Sequence, residues 1–500
     1  MGHSRLSNSD TVEHHTPAQG SPARKIGLVA GPLVFALTAL TAAPEGMDAS
    51  AWLVAGLVIW MAAWWITEAV PLTVTGFLPF LILPLGGVMN ARDTASAYYA
   101  PILFLLLGGA FLALAIERTG LHRRLSLAIL RIFGSHGGEF GLLLGFMVSA
   151  AVLSMLISNT STTLIMMPMA LAVLSGGAKK GTAGEAGESR AHTEGLGGAL
   201  PMGIAFAASI GGLGTIVGSP TNGIAVQLLD DMIGLKISFA QWVLYGLPVV
   251  LVGVPVAALI IARVQRIAAH PFDVIAAREA IDDATRWSSA ERRLVPVIAI
   301  TFVLWMSRLW IAPLLPPGSW TDGSIAILAS ISLFLIPDGT GRSLLIWPEA
   351  NRAPWGIIMM FGGGLALAAG MDASGLAKWL GEALLPLDTL PLFVMALAIV
   401  AMIILVTEFA SNVATASGIM PVVASLAGAL ALGPDAVLIA MPAALAASWG
   451  FILPAGTGPN AIAWSTGHLR IERLAIAGLL LDLVGAVLIV SIVWAMASLF

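Results

Sequence analysis

Apolar runs of about 18 residues or more recur along the whole sequence, and each is long enough to cross roughly 30 Å of hydrocarbon as a helix. The segment Leu397 to Val406 holds no polar residue at all. A barrel strand would alternate apolar and polar positions, so closed β-barrels are excluded. Composition agrees: 58% of the residues are hydrophobic and 10% are charged, against about 25% charged in soluble domains. The expected fold class is therefore an all-α polytopic membrane protein whose surrounding partner is lipid. Cysteine is absent, which removes disulfides, thiolate metal sites and cysteine nucleophiles. A formal net charge of −4 points to no nucleic-acid partner.

Residues 1–25 are polar and aperiodic, and read as a disordered cytosolic tail. Apolar segments follow at about 26–44, 51–68, 71–89 and 100–117, then an amphipathic stretch at 121–135. An apolar region at 138–174 and a polar loop at 175–199 come next. Further apolar regions occupy 200–229, 238–262, 293–313, 323–336, 355–372, 388–431, 435–465 and 472–498. Lys and Arg concentrate in cytoplasmic loops. With the N-terminus inside, all of the 24 bases except Arg92, Lys236, Arg308 and Lys378 fall on the cytoplasmic side. That holds only if 138–174 and 388–431 enter and leave on one side. The expectation is about eleven transmembrane helices, two re-entrant hairpins and an external C-terminus.

The chain also repeats itself. Gly108-Gly109 through Gly120-Leu121 matches Gly363-Gly364 through Gly375-Leu376 at an offset of 255. Ser158-Asn159, Thr162 and Met167-Pro168 match Ser411-Asn412, Thr415 and Met420-Pro421 at 253. Gly218-Ser219-Pro220-Thr221-Asn222 matches Gly456-Thr457-Gly458-Pro459-Asn460 at 238, and the loop at 175–199 accounts for most of the drop. Span counting starts the two copies on opposite sides, which makes an inverted repeat, the usual plan of secondary transporters.

Polar groups at membrane depth are costly unless satisfied, so two clusters stand out. One runs from Ser154 through Ser158-Asn159-Thr160 to Thr163, and the other from Thr407-Glu408 through Ser411-Asn412-Val413 to Thr415. Both are rich in N-cap residue types, which predicts a helix–turn–helix whose tip offers oxygens and free N–H groups, the latter suited to an anion. Glycine-rich stretches at 211–220 and 453–459 predict breaks in the following spans, where freed carbonyls can coordinate a hard cation such as Na⁺. Ser and Thr in membrane helices often only bond the preceding turn, but that bland reading does not account for four clusters at matching offsets. Gly212-Leu-Gly214 lacks the strand and spacing of a nucleotide loop, and the glycosylation-like Asn159-Thr160-Ser161 sits at membrane depth. Intramembrane ionisable residues are functional suspects: Glu68, Glu117, Arg308, Glu408 and Asp482. Structural pairing is the reading for Arg308, and a hydrogen-bonded brace is preferred over proton coupling for Glu408. The Trp64-Trp65 pair reads as an interface anchor. With no His in the clusters and a single carboxylate, an enzyme is not expected.

These residues resemble the divalent anion–sodium symporter family of dicarboxylate, citrate and sulfate carriers. The resemblance runs through Trp64-Trp65-Ile-Thr67-Glu68-Ala-Val-Pro71, Gly108-Gly109 to Arg124, both hairpin tips and the Pro-Asn-Ala-Ile run at 459–462. It implies a homodimer in a bacterial inner membrane. Each protomer would pair a scaffold (26–135 and 293–387) with a transport domain (138–262 and 388–500) that moves as an elevator, with 263–292 as a cytosolic loop. It implies one Na⁺ held by Ser154, Ser158, Asn159 and the Gly218 carbonyl, and a second held by Thr407, Ala410, Asn412 and the Gly456 carbonyl. Substrate would meet Asn159, Thr160, Ser219, Asn412, Val413 and Thr457. The implied activity is sodium-coupled symport of a small di- or tricarboxylate of the succinate, malate or fumarate type. An exchanger, a proton-coupled carrier of the same fold and a sulfate transporter are the alternatives. Val413 departs from the family's usual Thr, and Gly458 and Thr221 occupy places that are often Pro.

Overall fold

The computed structural model describes residues 22–133, 138–177, 193–270, 272–274, 286–384, 386, 389–454 and 456–499. Most of the expected tail, residues 178–192 of the polar loop and 275–285 of the loop at 263–292 lie outside the described residues. The chain opens with α1 (Pro22–Leu40), α2 (Ala49–Thr67), α3 (Leu72–Thr75), α4 (Leu78–Leu85) and α5 (Ala91–Ala97). One series of elements then occurs twice. First come α6 (Ile102–Thr119), amphipathic α7 (Leu121–Phe133), a hairpin of α8 (Gly138–Ser154) and α9 (Asn159–Gly177), a broken helix of α10 (Leu196–Gly211) and α11 (Pro220–Ile233), and long α12 (Phe239–Val264). The connection holds α13 (Ser289–Ile311), α14 (Asp322–Leu335) and α15 (Trp347–Ala350). The second series is α16 (Trp355–Ala373), α17 (Leu376–Leu384), the hairpin α18 (Leu392–Phe409) and α19 (Asn412–Ala429), the broken pair α20 (Val437–Ala446) and α21 (Gly458–Ser465), and long α22 (Ile471–Ala497).

Local chemistry sets the element ends. Ser238 with Gln241 and Ser288 with Glu291 form capping boxes that start α12 and α13, each satisfying two orphan N–H groups. Gly120 (φ 78°) and Gly375 (φ 80°) take the left-handed conformation at the ends of the span–amphipathic turns, and glycine does so without a Cβ penalty. These two glycines are the ones matched at offset 255.

Among the described residues, ten helices are long and apolar enough to cross a membrane. Leu72–Leu85, Gly138–Ser154, Asp322–Leu335 and Gly433–Ala446 are apolar but shorter. The single span expected at 71–89 is instead the two short helices α3 and α4, separated at Gly76-Phe77. The cause is tertiary. A Cβ on Gly363 would fall 2.2 Å from the Gly76 carbonyl oxygen, so α16 crosses this turn backbone to backbone.

The centre of the molecule is α10, in which every residue is buried. Its Gly and Ala positions let neighbouring backbones approach closely: a Cβ on Gly211 would lie 2.4 Å from the Ala151 backbone. One large apolar cluster surrounds α10, and a second forms where α2 and α4 meet α16 and α17. Trp65 belongs to that second cluster at 2% exposure, and its Nε1 donates to Leu72 O. It is a core residue and not the interface anchor that the sequence suggested.

Candidate substrate and cation site at the hairpin tips

Each hairpin tip is built by a hydroxyl that starts its second arm. Ser158 Oγ accepts from Ser161 N at 3.2 Å, and Ser411 Oγ accepts from Ala414 N at 3.2 Å. Capping positions the asparagines, because the residue after each cap is the first of its helix: Asn159 in α9, Asn412 in α19. Each then meets a hydroxyl five residues back. Ser154 Oγ lies 2.7 Å from the Asn159 amide, and Thr407 Oγ1 lies 2.9 Å from both Asn412 Oδ1 and Ala447 O, with one proton to give to either.

The surroundings of Asn159 carry the chemistry. One arm of its amide faces oxygens alone: Ser154 Oγ at 2.7 Å, Ala208 O at 3.2 Å and Gly218 O at 3.3 Å. If that arm is the NH₂ group, it donates to them; if it is the carbonyl, four oxygens converge. The surroundings select the NH₂ group for this arm, because a carbonyl oxygen there would face only acceptors. With the amide turned the other way, its carbonyl would complete four hard oxygens of the kind that suit a small cation such as Na⁺. The family resemblance implied Ser154, Ser158, Asn159 and the Gly218 carbonyl for one cation; Ala208 O, which it did not include, stands beside Ser154, Asn159 and Gly218. Ser158 is exposed and its hydroxyl is engaged in the cap. At the second tip, Thr407 is fully buried, Ala410 and Gly456 are buried, and Asn412 is half-buried.

The breaks supply the remaining backbone. After α10, two 3₁₀ turns (Gly212–Gly214 and Ile216–Gly218) lead to Ser219, the N-cap of α11. Thr215 holds the first break to the first hairpin, since its Oγ1 donates to Met155 O at 2.7 Å and accepts from Gly218 N at 3.0 Å. Thr457 caps α21 by accepting from Asn460 N at 3.3 Å. Glu408 joins the second hairpin to the second break, accepting from Ile452 N at 3.0 Å and Leu453 N at 2.9 Å. It is a hydrogen-bonded brace. Two asparagines that the sequence showed only as matched residues hold the breaks open. Asn222 Nδ2 donates to Gly212 O and Thr215 O, both at 2.8 Å; Asn460 Nδ2 donates to Leu453 O at 3.2 Å. Thr215 and Leu453 are themselves related by the offset of 238.

The two series meet at the site. Helix α21 packs on α9 and α10, and α11 packs along α19. A Cβ on Gly458 would lie 2.6 Å from Thr160 Oγ1, so the first tip touches the second break. That contact explains why Gly stands at 458, where a larger residue would push Thr160 aside. The assigned substrate positions thus lie at four helix N-termini, those of α9, α11, α19 and α21. Each presents free N–H groups and a positive dipole end, which suit an anion. Val413 packs against both apolar clusters.

Comparison with known proteins gives the family and the fold. A family model described as the sodium:sulfate symporter transmembrane region matches residues 23–499. A sodium-dependent dicarboxylate transporter, SdcS, of Staphylococcus saprophyticus is 36% identical over 484 residues, covering 94% of this chain and 90% of that protein. The protein of that name from Staphylococcus aureus USA300 is 36% identical over 481 residues, covering 95% and 91%. The crystal structure of the Alcanivorax borkumensis YdaH transporter has a similar fold, with a TM-score of 0.52 at 15% identity over 95% of this chain and 96% of that one. Neisseria gonorrhoeae MtrF gives 0.50 at 13% identity, covering 94% and 93%.

Proposed function

This chain belongs to the sodium:sulfate symporter family, and from that premise we propose that it is a secondary active transporter coupling Na⁺ to uptake of a small dicarboxylate such as succinate, malate or fumarate. It is an integral membrane carrier and not an enzyme. The observation that carries the reading is the oxygen cluster at Asn159, with its counterpart of Thr407, Asn412 and the Ala447 carbonyl at the second tip. One Na⁺ would be held by Ser154, Asn159 and the Gly218 carbonyl, with Ser158 beside them; a second by Thr407, Ala410, Asn412 and the Gly456 carbonyl. Substrate carboxylates would take the N–H groups and side chains of Asn159, Thr160, Ser219, Asn412 and Thr457. Val413 offers only methyl groups, so the two halves of the substrate site are unequal.

The matched element order and the exchanged contacts between hairpins and breaks support an inverted repeat. The scaffold would comprise 26–135 and 293–387. Against it a transport domain of 138–262 and 388–500 would slide as an elevator within a homodimer, with the N-terminus cytoplasmic and the C-terminus outside the bacterial inner membrane. The test is uptake of labelled succinate into proteoliposomes. An inward Na⁺ gradient should drive it, and sulfate should compete poorly. Uptake that ignores Na⁺ and follows internal dicarboxylate would make the protein an exchanger instead.

A further inference from the structure

Helix α19 of the second hairpin closes on α16 but not on α2. On the α16 side a Cβ on Gly364 would lie 3.2 Å from Ser417 Oγ. Toward α2, a Cβ on Gly418 would meet nothing within 4 Å, and a cavity of about 120 Å³ lies there. Val58, Ala62 and Ile66 of α2, Leu367 of α16, and Ala414 and Gly418 of α19 bound it. Ile66, 48% exposed, forms its outer rim. Ala414 and Gly418 stand one helical turn apart, the small-residue spacing that normally lets two membrane helices touch. Here they leave room instead.

Thr415 also lines the cavity. It is 2% exposed, and its Oγ1 has no hydrogen-bond partner. Buried polar groups are normally paired, and a threonine in a membrane helix often takes the carbonyl one turn back, as Thr163 does with Asn159 O at 2.9 Å. Among the described lining residues the other polar side chain is Trp65, whose Nε1 is committed to Leu72 O. A free hydroxyl in an otherwise apolar void selects its occupant. Water needs about two to four polar partners to stay in such a space, and one hydroxyl is too few. An ion would find no countercharge among the described lining residues. A pure hydrocarbon would fit the walls but leave Thr415 unpaired. A neutral alcohol satisfies both demands, since its hydroxyl can donate to or accept from Thr415 while its carbons cover the walls. The size agrees: a cavity of roughly 150 Å³ takes benzene, so this one takes about six carbons.

We propose that this cavity binds a small neutral alcohol of about six carbons, with Thr415 Oγ1 as its hydrogen-bonding partner, and that the occupant pins α19 to α2. Binding stands on the cavity alone. Its consequence rests on the elevator reading above, in which α2 and α16 belong to the scaffold and α19 to the transport domain. An occupant that bridges them slows transport without competing for the substrate site at the tips.

The test uses the full-length protein in proteoliposomes, with hexanol and a hexanol carrying a diazirine in its chain as probes. Photolabelling read by peptide mass spectrometry should place the strongest adducts on residues 58–66 or 410–419, the segments that wall the cavity. The diazirine analogue without the hydroxyl should label them several-fold less. Gly418→Ala adds a methyl into open space, and Thr415→Val keeps the shape without the hydroxyl. Each should reduce labelling by the alcohol several-fold. In sodium-driven succinate uptake, hexanol should lower the maximal rate of the wild type with KM unchanged, and Gly418→Ala should need several-fold more of it for half-inhibition. Equal labelling by the two analogues in the wild type would overturn the alcohol assignment, and that arm needs no variant to fold. Equal inhibition of the wild type and Gly418→Ala would assign the effect to the bilayer and overturn the pinning. Wild-type uptake that needs no Na⁺ would sink the functional reading, while the labelling would still decide the cavity.

Discussion

Asn159 and Asn412 each have one amide for two tasks, an oxygen for a cation and N–H donors for a carboxylate. Alanine supplies neither, so Asn159→Ala and Asn412→Ala should each cut sodium-driven uptake to below about a tenth. A hydrogen bond to a charged group is worth about 1.5–3 kcal/mol, and about 1.4 kcal/mol is already tenfold. Size-exclusion chromatography should show folded protein in both, and uptake above half of the wild-type rate in either would reject the assignment. Two glycines separate the tasks. A Cβ on Gly212 would lie 2.3 Å from Asn159 Oδ1, and one on Gly458 2.6 Å from Thr160 Oγ1. Gly212→Ala should therefore weaken thermal stabilisation by Na⁺. Gly458→Ala should leave that stabilisation in place and raise KM for succinate by about tenfold, the loss of one such bond.

At the scale of elements, the hairpins and breaks owe their shape to a few side-chain bonds in place of backbone ones. Asn222 supplies two such bonds at 2.8 Å and Asn460 one at 3.2 Å. Removing them strands buried carbonyls, at about 1–3 kcal/mol each. Asn222→Ala should thus lower the melting temperature more than Asn460→Ala, which differential scanning fluorimetry can rank; the reverse order would refute this account of the breaks. Outside the spans, Asp338 ties α6 to the turn after α14. It accepts from Arg118 and, at 2.7 Å each, from Thr340 N and Oγ1. The Arg118 guanidinium holds its carboxyl well below the usual carboxylate range. A depressed folded-state value gives stability that is present above the unfolded value, about 3.9, and is lost as pH falls below it. Wild-type protein should lose melting temperature below about pH 4, and Asp338→Asn should start lower and show a flatter acid limb.

Across the whole molecule, what the sequence made legible is what the two series share. Ser158-Asn159 with Ser411-Asn412, and Asn222 with Asn460, stand at fixed offsets, so the tips and breaks were readable by eye. The turn at Gly76 and the burial of Trp65 were not, because Gly363 and the α16–α17 cluster that dictate them lie far along the chain. Asp482 was visible only as an intramembrane acid; its apposition to Glu408 depends on α22 docking through Gly478 and Gly485. The orientation of the two series is the remaining step, and charge argues it. On the proposed orientation, the cytoplasmic bias of Lys and Arg would put the open end of the α8–α9 hairpin inside and that of α18–α19 outside. Ser175, at the open end of the first, and Asp435, just past the end of the second, are both exposed. The chain has no cysteine to remove first. Ser175→Cys should react with an impermeant maleimide only from the cytoplasmic face, and Asp435→Cys only from the outer face. Because the two hairpins occupy the same place in each series, opposite labelling requires the series to be inverted. Labelling of both from one face would make the repeat parallel and leave the elevator reading without its symmetry.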